Sequence, residues 1–369
     1  MKTVTIIGGG LAGLIAGIEF VHAGIPCILV ERKTYPFHRV CGEYVSNEVV
    51  PYLKSRQLFP GTFNPPEINT FQLSTIDGES RMMSLDLGGF GISRYTYDNL
   101  LFENARSLGV EFRLNTEVTA IDFDEQHFRI TTDQGSWYTD LVVGSFGKRS
   151  RIDRAMNRSF LRRRSPYVGV KYHVRSSHPN ELIALHNFPG GYCGISNVEG
   201  GKSTLCYLTH VSNVKRHKNI REMERNVLWR NPLLKTIFNE SEFLFDKPEV
   251  INEVSFETKS PLDGHVMMAG DAAGMIAPLC GNGMAMAIQS ARILTAEAIP
   301  FVFGHVSREQ MEGSYQKRWK DEFASRLWRG RQIQKLFGRE LTSRIAVSLV
   351  MSIPPLARSI IRNTHGRPF

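Results

Sequence analysis

Within its first fourteen residues the chain passes from a β-rich run, Thr3-Val4-Thr5-Ile6-Ile7, through Gly8-Gly9-Gly10 into a helical pattern that carries Gly13. Few folds accommodate that transition. The spacing of Gly8, Gly10 and Gly13 is G-x-G-x-x-G, a dinucleotide fingerprint, and each glycine has its own steric reason. Gly8 permits the tight turn off the strand, Gly10 lets the backbone approach a pyrophosphate, and Gly13 lets the helix pack close to the sheet. The first helical turn, with Leu11 and Ala12, offers unpaired N–H groups and a positive dipole end to phosphates. Gly17 extends the close-packed face, and Gly24 predicts the helix stop. A second strand over 26–30 ends at Glu31, which follows Gly13 by 18 residues. A ribose-binding carboxylate belongs at that place.

The loop that follows holds Arg32, His38, Arg39, Cys41 and Glu43, a set rich in contacts to offer a bound cofactor. Residues 44–58 read as helical. Residues 66–93 alternate apolar and polar side chains between Asp77-Gly78 and Gly88-Gly89, the pattern of strands. A helix opens near Tyr97 and stops at Gly109, and 110–114 reads as a parallel strand. Two strands, 117–123 and 127–132, form a hairpin or meander, and 141–145 is an apolar strand. From about 165 to 258 the chain reads as a mostly antiparallel sheet with helices at 219–229 and 231–239. Residues 266–300 return to α/β character, and 307–369 are mainly helical. The predicted class is therefore α/β. A Rossmann-type nucleotide-binding domain with a parallel sheet is built from 1–65, 94–160 and 259–300. A substrate domain, an inserted and mostly antiparallel sheet, comprises 66–93 and 161–258, and a helical C-terminal region comprises 301–369.

The net charge of +9 and pI of about 9.3 suit anionic small molecules or an anionic surface. The basic runs Arg162-Arg163-Arg164 and Lys215-Arg216-His217-Lys218 are not interleaved with aromatics, so no nucleic-acid partner is expected. Five cysteines at wide spacing, with no C-x-x-C, predict a reducing compartment and no metal site. No leader-like stretch precedes the first strand, and no run has the length of a membrane span, so the expected location is cytoplasmic. Apolar residues such as Phe337, Ile345, Leu349, Ile353 and Ile360 alternate with Arg339, Arg344, Arg358 and Arg362 near the C-terminus. A basic amphipathic helix of that kind can lie on a membrane, giving peripheral contact; packing on the substrate domain is the simpler expectation.

A second signature lies far along the chain. The strand ending in Met267-Met268-Ala269 runs into Gly270-Asp271-Ala272-Ala273-Gly274, and Pro278-Leu279-Cys280-Gly281-Asn282-Gly283-Met284 then opens a long small-residue helix. A carboxylate such as Asp271 can accept hydrogen bonds from a polyhydroxylated ribityl chain. A helix N-terminus at Gly281, Gly283 and Met284 can stabilise negative charge on a reduced isoalloxazine. Joined to the glycine fingerprint, this pair of elements points to FAD rather than to a nicotinamide cofactor alone.

Together these residues resemble the FAD-dependent superfamily that includes aromatic-ring hydroxylases of the para-hydroxybenzoate type, flavin-dependent halogenases and geranylgeranyl reductases. The resemblance spans about 1–330. Cys41-Gly42-Glu43 is similar to the Cys-Gly-acid segment of the reductase branch. The resemblance implies that Arg94, ahead of Tyr97-Asp98-x-x-Leu101, contacts FAD, and that the backbone at Val118 meets the adenine. Three departures stand out. Phe146 in Gly144-Ser145-Phe146-Gly147 replaces the Asp of relatives, which weakens the case for hydroxylase-style use of NADPH. The Trp-x-Trp-x-Ile-Pro segment of the halogenases is absent. Gly190-Gly191-Tyr192 begins like the reductases' Tyr-x-Trp-x-Phe-Pro segment but lacks its Trp and Phe-Pro.

The flavin carries the redox step, and Cys41 and Tyr192 are the catalytic candidates. Each has a plain structural alternative, as a small packed residue and a core tyrosine respectively. Cys280 reads as packing, and His38 as a surface histidine. The leading expectation is a monooxygenase hydroxylating a hydrophobic aromatic or polyketide-like metabolite. The second is a geranylgeranyl reductase-like ene-reductase that saturates C=C bonds, and the third, of another class, a redox-inactive binding or escort protein. Reducing equivalents are expected from transient NAD(P)H or from an electron-donor protein.

Overall fold

The structure, a computed structural model, describes residues 1–336, Ser348, Ser352 and 365–369. The first half of the chain forms β1 (Val4–Ile7), α1 (Leu11–His22), β2 (Cys27–Val30), β3 (Tyr44–Ser46), α2 (Val50–Ser55), β4 (Glu67–Ser74), β5 (Ser80–Gly91), α3 (Arg94–Ser107), β6 (Glu111–Arg113), β7 (Val118–Phe123), β8 (Phe128–Thr132), β9 (Gly135–Thr139) and β10 (Leu141–Gly144). The rest forms α4 (Arg151–Ala155), β11 (Tyr167–Arg175), β12 (Leu182–Phe188), β13 (Gly191–Val198), β14 (Lys202–His210), α5 (Val211–Lys215), α6 (Ile220–Val227), α7 (Pro232–Glu240), β15 (Glu242–Phe243), β16 (Glu249–Asn252), β17 (Leu262–Asp263), β18 (Val266–Met268), α8 (Gly283–Val302) and α9 (Arg308–Leu336).

One sheet has the order β17-β18-β10-β1-β2-β6 and is parallel except at β17. Every residue of β1 and of β10 is buried. That is the signature of a parallel sheet covered on both faces, and it explains why these strands read as continuous apolar runs. Helix α1 lies against α8 and α3, and its buried face includes Leu14, Ile15 and Ile18.

The second sheet runs β15-β11-β14-β13-β12-β4-β5-β3 and is antiparallel except where β4 meets β12. Its strands alternate. Val168, Val170, Tyr172 and Val174 face a cluster completed by Met223, Leu228 and Leu234 of the helical segment. The opposite face carries Leu73, Leu185, Tyr192 and Leu208, which pack with Val254 and Met275. That face also bears Lys171 and His173, which alternate with the first set along β11.

One expectation needs adjustment. The segment predicted helical from residue 44 begins as β3, because Tyr44, Val45 and Ser46 are all buried and pair with β5; the α-helix starts only at Val50. Thus β3, placed with the nucleotide-binding part, hydrogen-bonds into the large sheet. Residues 117–132, read as a hairpin or meander, form the first two strands of a meander, β7-β8-β9. The C-terminal region is helical through α9, while most of the amphipathic segment proposed to touch a membrane lies outside the described residues. No helix among the described residues is long and apolar enough to cross a membrane.

Candidate functional site

The glycine loop sits where β1 ends. Gly8 has φ +103°, and a β-carbon there would lie 2.5 Å from the Ser145 carbonyl oxygen. A β-carbon on Gly13 would overlap the Gly8 carbonyl oxygen, so the start of α1 is pressed against the turn. Ser145, in the middle motif, donates its hydroxyl to the carbonyls of Ile7 (3.0 Å) and Gly8 (2.7 Å) and braces the turn from behind. Phe146 packs at the edge of the core. Gly10 differs from its neighbours. The nearest atom to its β-carbon position is Arg94 Nη2, at 3.5 Å. No side chain caps α1 beyond Gly10, and Leu11 and Ala12 form its first turn. An uncapped helix N-terminus beside a guanidinium is an anion site in both charge and hydrogen-bonding capacity.

A network of four charged side chains encloses this opening. Glu31 Oε2 accepts from the Gly9 N–H (2.9 Å) and from Arg39 Nη2 (3.2 Å), and Oε1 accepts from the Lys33 N–H (3.1 Å). A carboxylate has about four acceptor positions, so one remains for a sugar hydroxyl. Arg39 also donates to Asp98 (3.0 Å) and to the Gly9 carbonyl (3.2 Å). Asp98 in turn takes both Nε (2.6 Å) and Nη2 (2.7 Å) of Arg94. Burial alone would lower the Arg94 pKa, but Asp98 above all, then Cys41 and Asp271, raise it, so the guanidinium stays charged. Arg32 points into solvent. Val118 is buried at the start of β7.

The second signature meets the first. A β-carbon on Gly270 would lie 3.1 Å from Ala12 Cβ and 3.5 Å from Ala287 Cβ, so the Gly-Asp turn is wedged between α1 and α8. The turn's carbonyls are held by two buried cations. Lys259 Nζ donates to the Asp271 carbonyl (2.7 Å) and Arg158 Nη1 to that of Ala272 (2.9 Å). Burial brings Lys259 down to about 8. Gly270, Asp271, Gly283, Met286, Ala287 and Ser290 line a niche between the turn and α8, closed by Trp319 and Phe323 of α9. Helix α8 begins at Gly283 and Met284 with no side-chain cap. Gly281, at φ +66°, closes the preceding turn against the ring of Tyr44.

The loop over 38–43 joins this region to the large sheet. Three consecutive carbonyls are each taken by a different element: Arg39 by Lys171 Nζ (3.2 Å), Val40 by Lys148 Nζ (3.1 Å) and Cys41 by the Thr204 hydroxyl (3.5 Å). The Cys41 thiol accepts from the Glu43 N–H at 3.4 Å. Glu43 is fully buried, forms an ion pair with Lys171 and lies in hydrogen-bond contact with His173 Nε2 (2.6 Å). Tyr192 lies farther along the same sheet face. Its hydroxyl accepts from the Leu279 N–H (3.2 Å) and meets Gln334 Oε1 (3.2 Å), which ties β13 to the turn before Gly281 and to α9. Burial pushes the Tyr192 pKa well up.

The structure therefore brings Gly8, Gly10, Leu11, Ala12, Gly13, Glu31, Arg39 and Arg94 around one opening. Gly270 and Asp271 meet Ala12 from the far side, with Gly283 and Met284 at the start of α8. Cys41 stands in the adjoining loop and Tyr192 on the sheet. Asp98, Lys148, Arg158, Lys259, Lys171 and His173 had not been singled out as site residues. For Asp98 a local signal existed, since an acid four residues after Arg94 on one helix faces it. The others act across long sequence separations.

Residues 1–320 match the family described as FAD binding domain. Among curated relatives, the chain is 23% identical to the digeranylgeranylglycerophospholipid reductase of Methanosarcina acetivorans, covering 86% of this chain and 80% of that protein. It is also 23% identical to the asperlicin C monooxygenase of Petromyces alliaceus, over 56% of this chain and 50% of that one. Among solved structures, a geranylgeranyl bacteriochlorophyll reductase-like protein from Thermoplasma acidophilum superposes with a TM-score of 0.78 at 15% identity, covering 100% of this chain and 97% of the other.

Proposed function

The chain belongs to the FAD binding domain family, and on that premise we propose that this FAD-dependent oxidoreductase saturates a carbon–carbon double bond in a hydrophobic substrate. The observation that carries the reading is the loop at Cys41-Gly42-Glu43, held by Lys171, Lys148 and Thr204 between the glycine opening and the sheet. Saturating an alkene takes a hydride and a proton. FAD supplies the hydride chemistry when bound. In this reading the proton comes from a group beside the substrate, and Cys41 is the thiol this loop holds in place.

In this reading Gly8, Gly10, Gly13, Leu11, Ala12 and Arg94 hold the pyrophosphate and Glu31 the ribose. Arg39 steadies Glu31, and Val118 borders the adenine. Asp271 holds the ribityl chain, and the N-terminus of α8 at Gly283 and Met284 faces the flavin. Electrons arrive from NAD(P)H binding transiently or from a carrier protein.

The sequence ranks hydroxylation first, and it stays as the second reading. The half-length similarity to asperlicin C monooxygenase favours it. Oxygen separates the two. FAD-loaded protein is reduced under argon and mixed with a polyprenyl lipid. Reoxidation of the flavin with gain of two hydrogen atoms per double bond supports saturation. A product that gains an oxygen atom, and only in air, supports hydroxylation. A colourless protein that takes up no added FAD overturns both.

A further inference from the structure

Glu43 occupies a position that packing alone does not require. Its backbone is left-handed, with φ +56°, a conformation unfavourable for a residue with a β-carbon. Its carboxylate is completely buried, where an unpaired anion is expensive. Three donors make the arrangement tenable. Oε1 accepts from the Arg94 N–H (2.8 Å) and from Lys171 Nζ, and Oε2 meets His173 Nε2 at 2.6 Å. Burial pushes the carboxyl up, but Lys171 and then His173 pull it down further and hold it at about 2.

These partners come from two parts of the molecule. Arg94 opens α3, and its guanidinium stands at the open face of Gly10. Lys171 and His173 belong to β11 of the large sheet. Lys171 also holds the carbonyl of Arg39, whose guanidinium pairs with Glu31 and Asp98. One carboxylate thus connects the sheet to both arginines beside the glycine loop.

We propose that Glu43 is a positioning residue for the cofactor. Anchored by Lys171 and His173, it takes the Arg94 N–H and fixes the start of α3, so that the Arg94 guanidinium already faces Gly10 before any nucleotide arrives. The inference rests on reading that opening as the FAD pyrophosphate site.

A buried ion pair that serves structure alone can be replaced by apolar side chains without loss. A positioning role needs an acceptor for the Arg94 N–H. The two separate in a Lys171→Met background, where position 43 no longer balances an ammonium. There Glu43→Gln keeps a carbonyl oxygen for Arg94, whereas Glu43→Met, of similar length, keeps none. FAD is titrated into each apoprotein and followed by flavin fluorescence, with thermal unfolding recorded alongside. The Met double variant is expected to bind FAD about tenfold more weakly than the Gln double variant, the size of one lost hydrogen bond. Equal affinities overturn the proposal. Hydrogen exchange on the wild-type apoprotein tests it without any variant. The amides at the start of α3 are expected to be protected before FAD is added, and protection that arises only afterwards refutes prepositioning. A wild-type apoprotein that takes up no FAD overturns the pyrophosphate reading itself, an outcome distinct from equal affinities among the variants.

Discussion

Arg94 Nη2 stands 3.5 Å from the point a β-carbon on Gly10 would occupy, and apart from Gly10 and its chain neighbours it is the only heavy atom within 4 Å of that point among the described residues. The glycine therefore faces a gap bounded by a cation. One methyl group fits there, but a branched side chain fills the gap and meets the guanidinium. Gly10→Val is expected to give a folded protein, with the far-UV circular dichroism of the wild type, that purifies without flavin absorbance and does not regain it with added FAD. A yellow Gly10→Val protein would refute the placement.

Glu199 reaches from the end of β13 to the N-terminus of α3. It accepts from the Ser93 N–H (2.7 Å), the Ser93 hydroxyl (2.6 Å) and the Thr96 hydroxyl (2.7 Å). Glu199→Ala is expected to lower stability by about 1–2 kcal/mol, the range of a lost helix cap. Burial raises the Glu199 pKa, but Ser93, Thr96 and Lys202 outweigh it and hold the carboxyl below its ordinary value. A depressed folded-state value stabilises the fold above the unfolded pKa, and that stability is lost as the pH falls through the folded one. Urea midpoints measured from about pH 6 down to about pH 3 should fall more steeply in wild type than in Glu199→Gln.

Lys259 has the opposite sign. Buried beneath the Asp271 turn, it is brought from an ordinary 10.5 to about 8. Between those values the unfolded chain binds more protons than the folded one, so stability rises with pH across this window. The rise is on the order of 1–3 kcal/mol, at about 1.4 kcal/mol per pKa unit. Comparing denaturant midpoints of wild type and Lys259→Met at about pH 8 and about pH 10 checks it, since the variant should lack this contribution. An equal rise in both proteins would show that the ammonium is not the source.

Tyr192→Phe removes a hydroxyl that accepts from the Leu279 N–H ahead of the Gly281 turn. Leaving that donor buried and unsatisfied costs about 1–3 kcal/mol. The loss falls on the turn leading into α8, so FAD retention during gel filtration should decline together with Tm. A variant with unchanged Tm and flavin content would mean that the turn stands without this contact.

The parts of the site that could be read in the chain are those in which one residue's neighbours decide its role. Gly8, Gly10 and Gly13 lie within a single turn, and Gly270-Asp271 ends a strand whose apolar run announces it. The large sheet was legible because each of its long strands alternates. What stayed hidden depends on pairing across the fold. Glu199 reads as one acid in a glycine-rich turn until β13 delivers it to α3. Lys171 and His173 read as outward positions of an alternating strand, yet that face is covered by the 38–43 loop, so they are buried with Glu43. Tyr44 was misjudged for the same reason. Its segment has no strong strand period of its own and becomes a strand because β5 offers an edge.

The contact between Gly270 and Ala12 also has a temporal side. During synthesis the glycine loop leaves the ribosome with β1 and α1, well ahead of β18. It then waits for β10, for the whole antiparallel sheet and for β18 before the Gly-Asp turn can dock beside it. A chain stalled before β18 would hold a complete fingerprint and still lack the Gly-Asp turn that packs against it. The two sides of the opening meet only once the chain has been made through Gly270 and the intervening strands have been threaded between them.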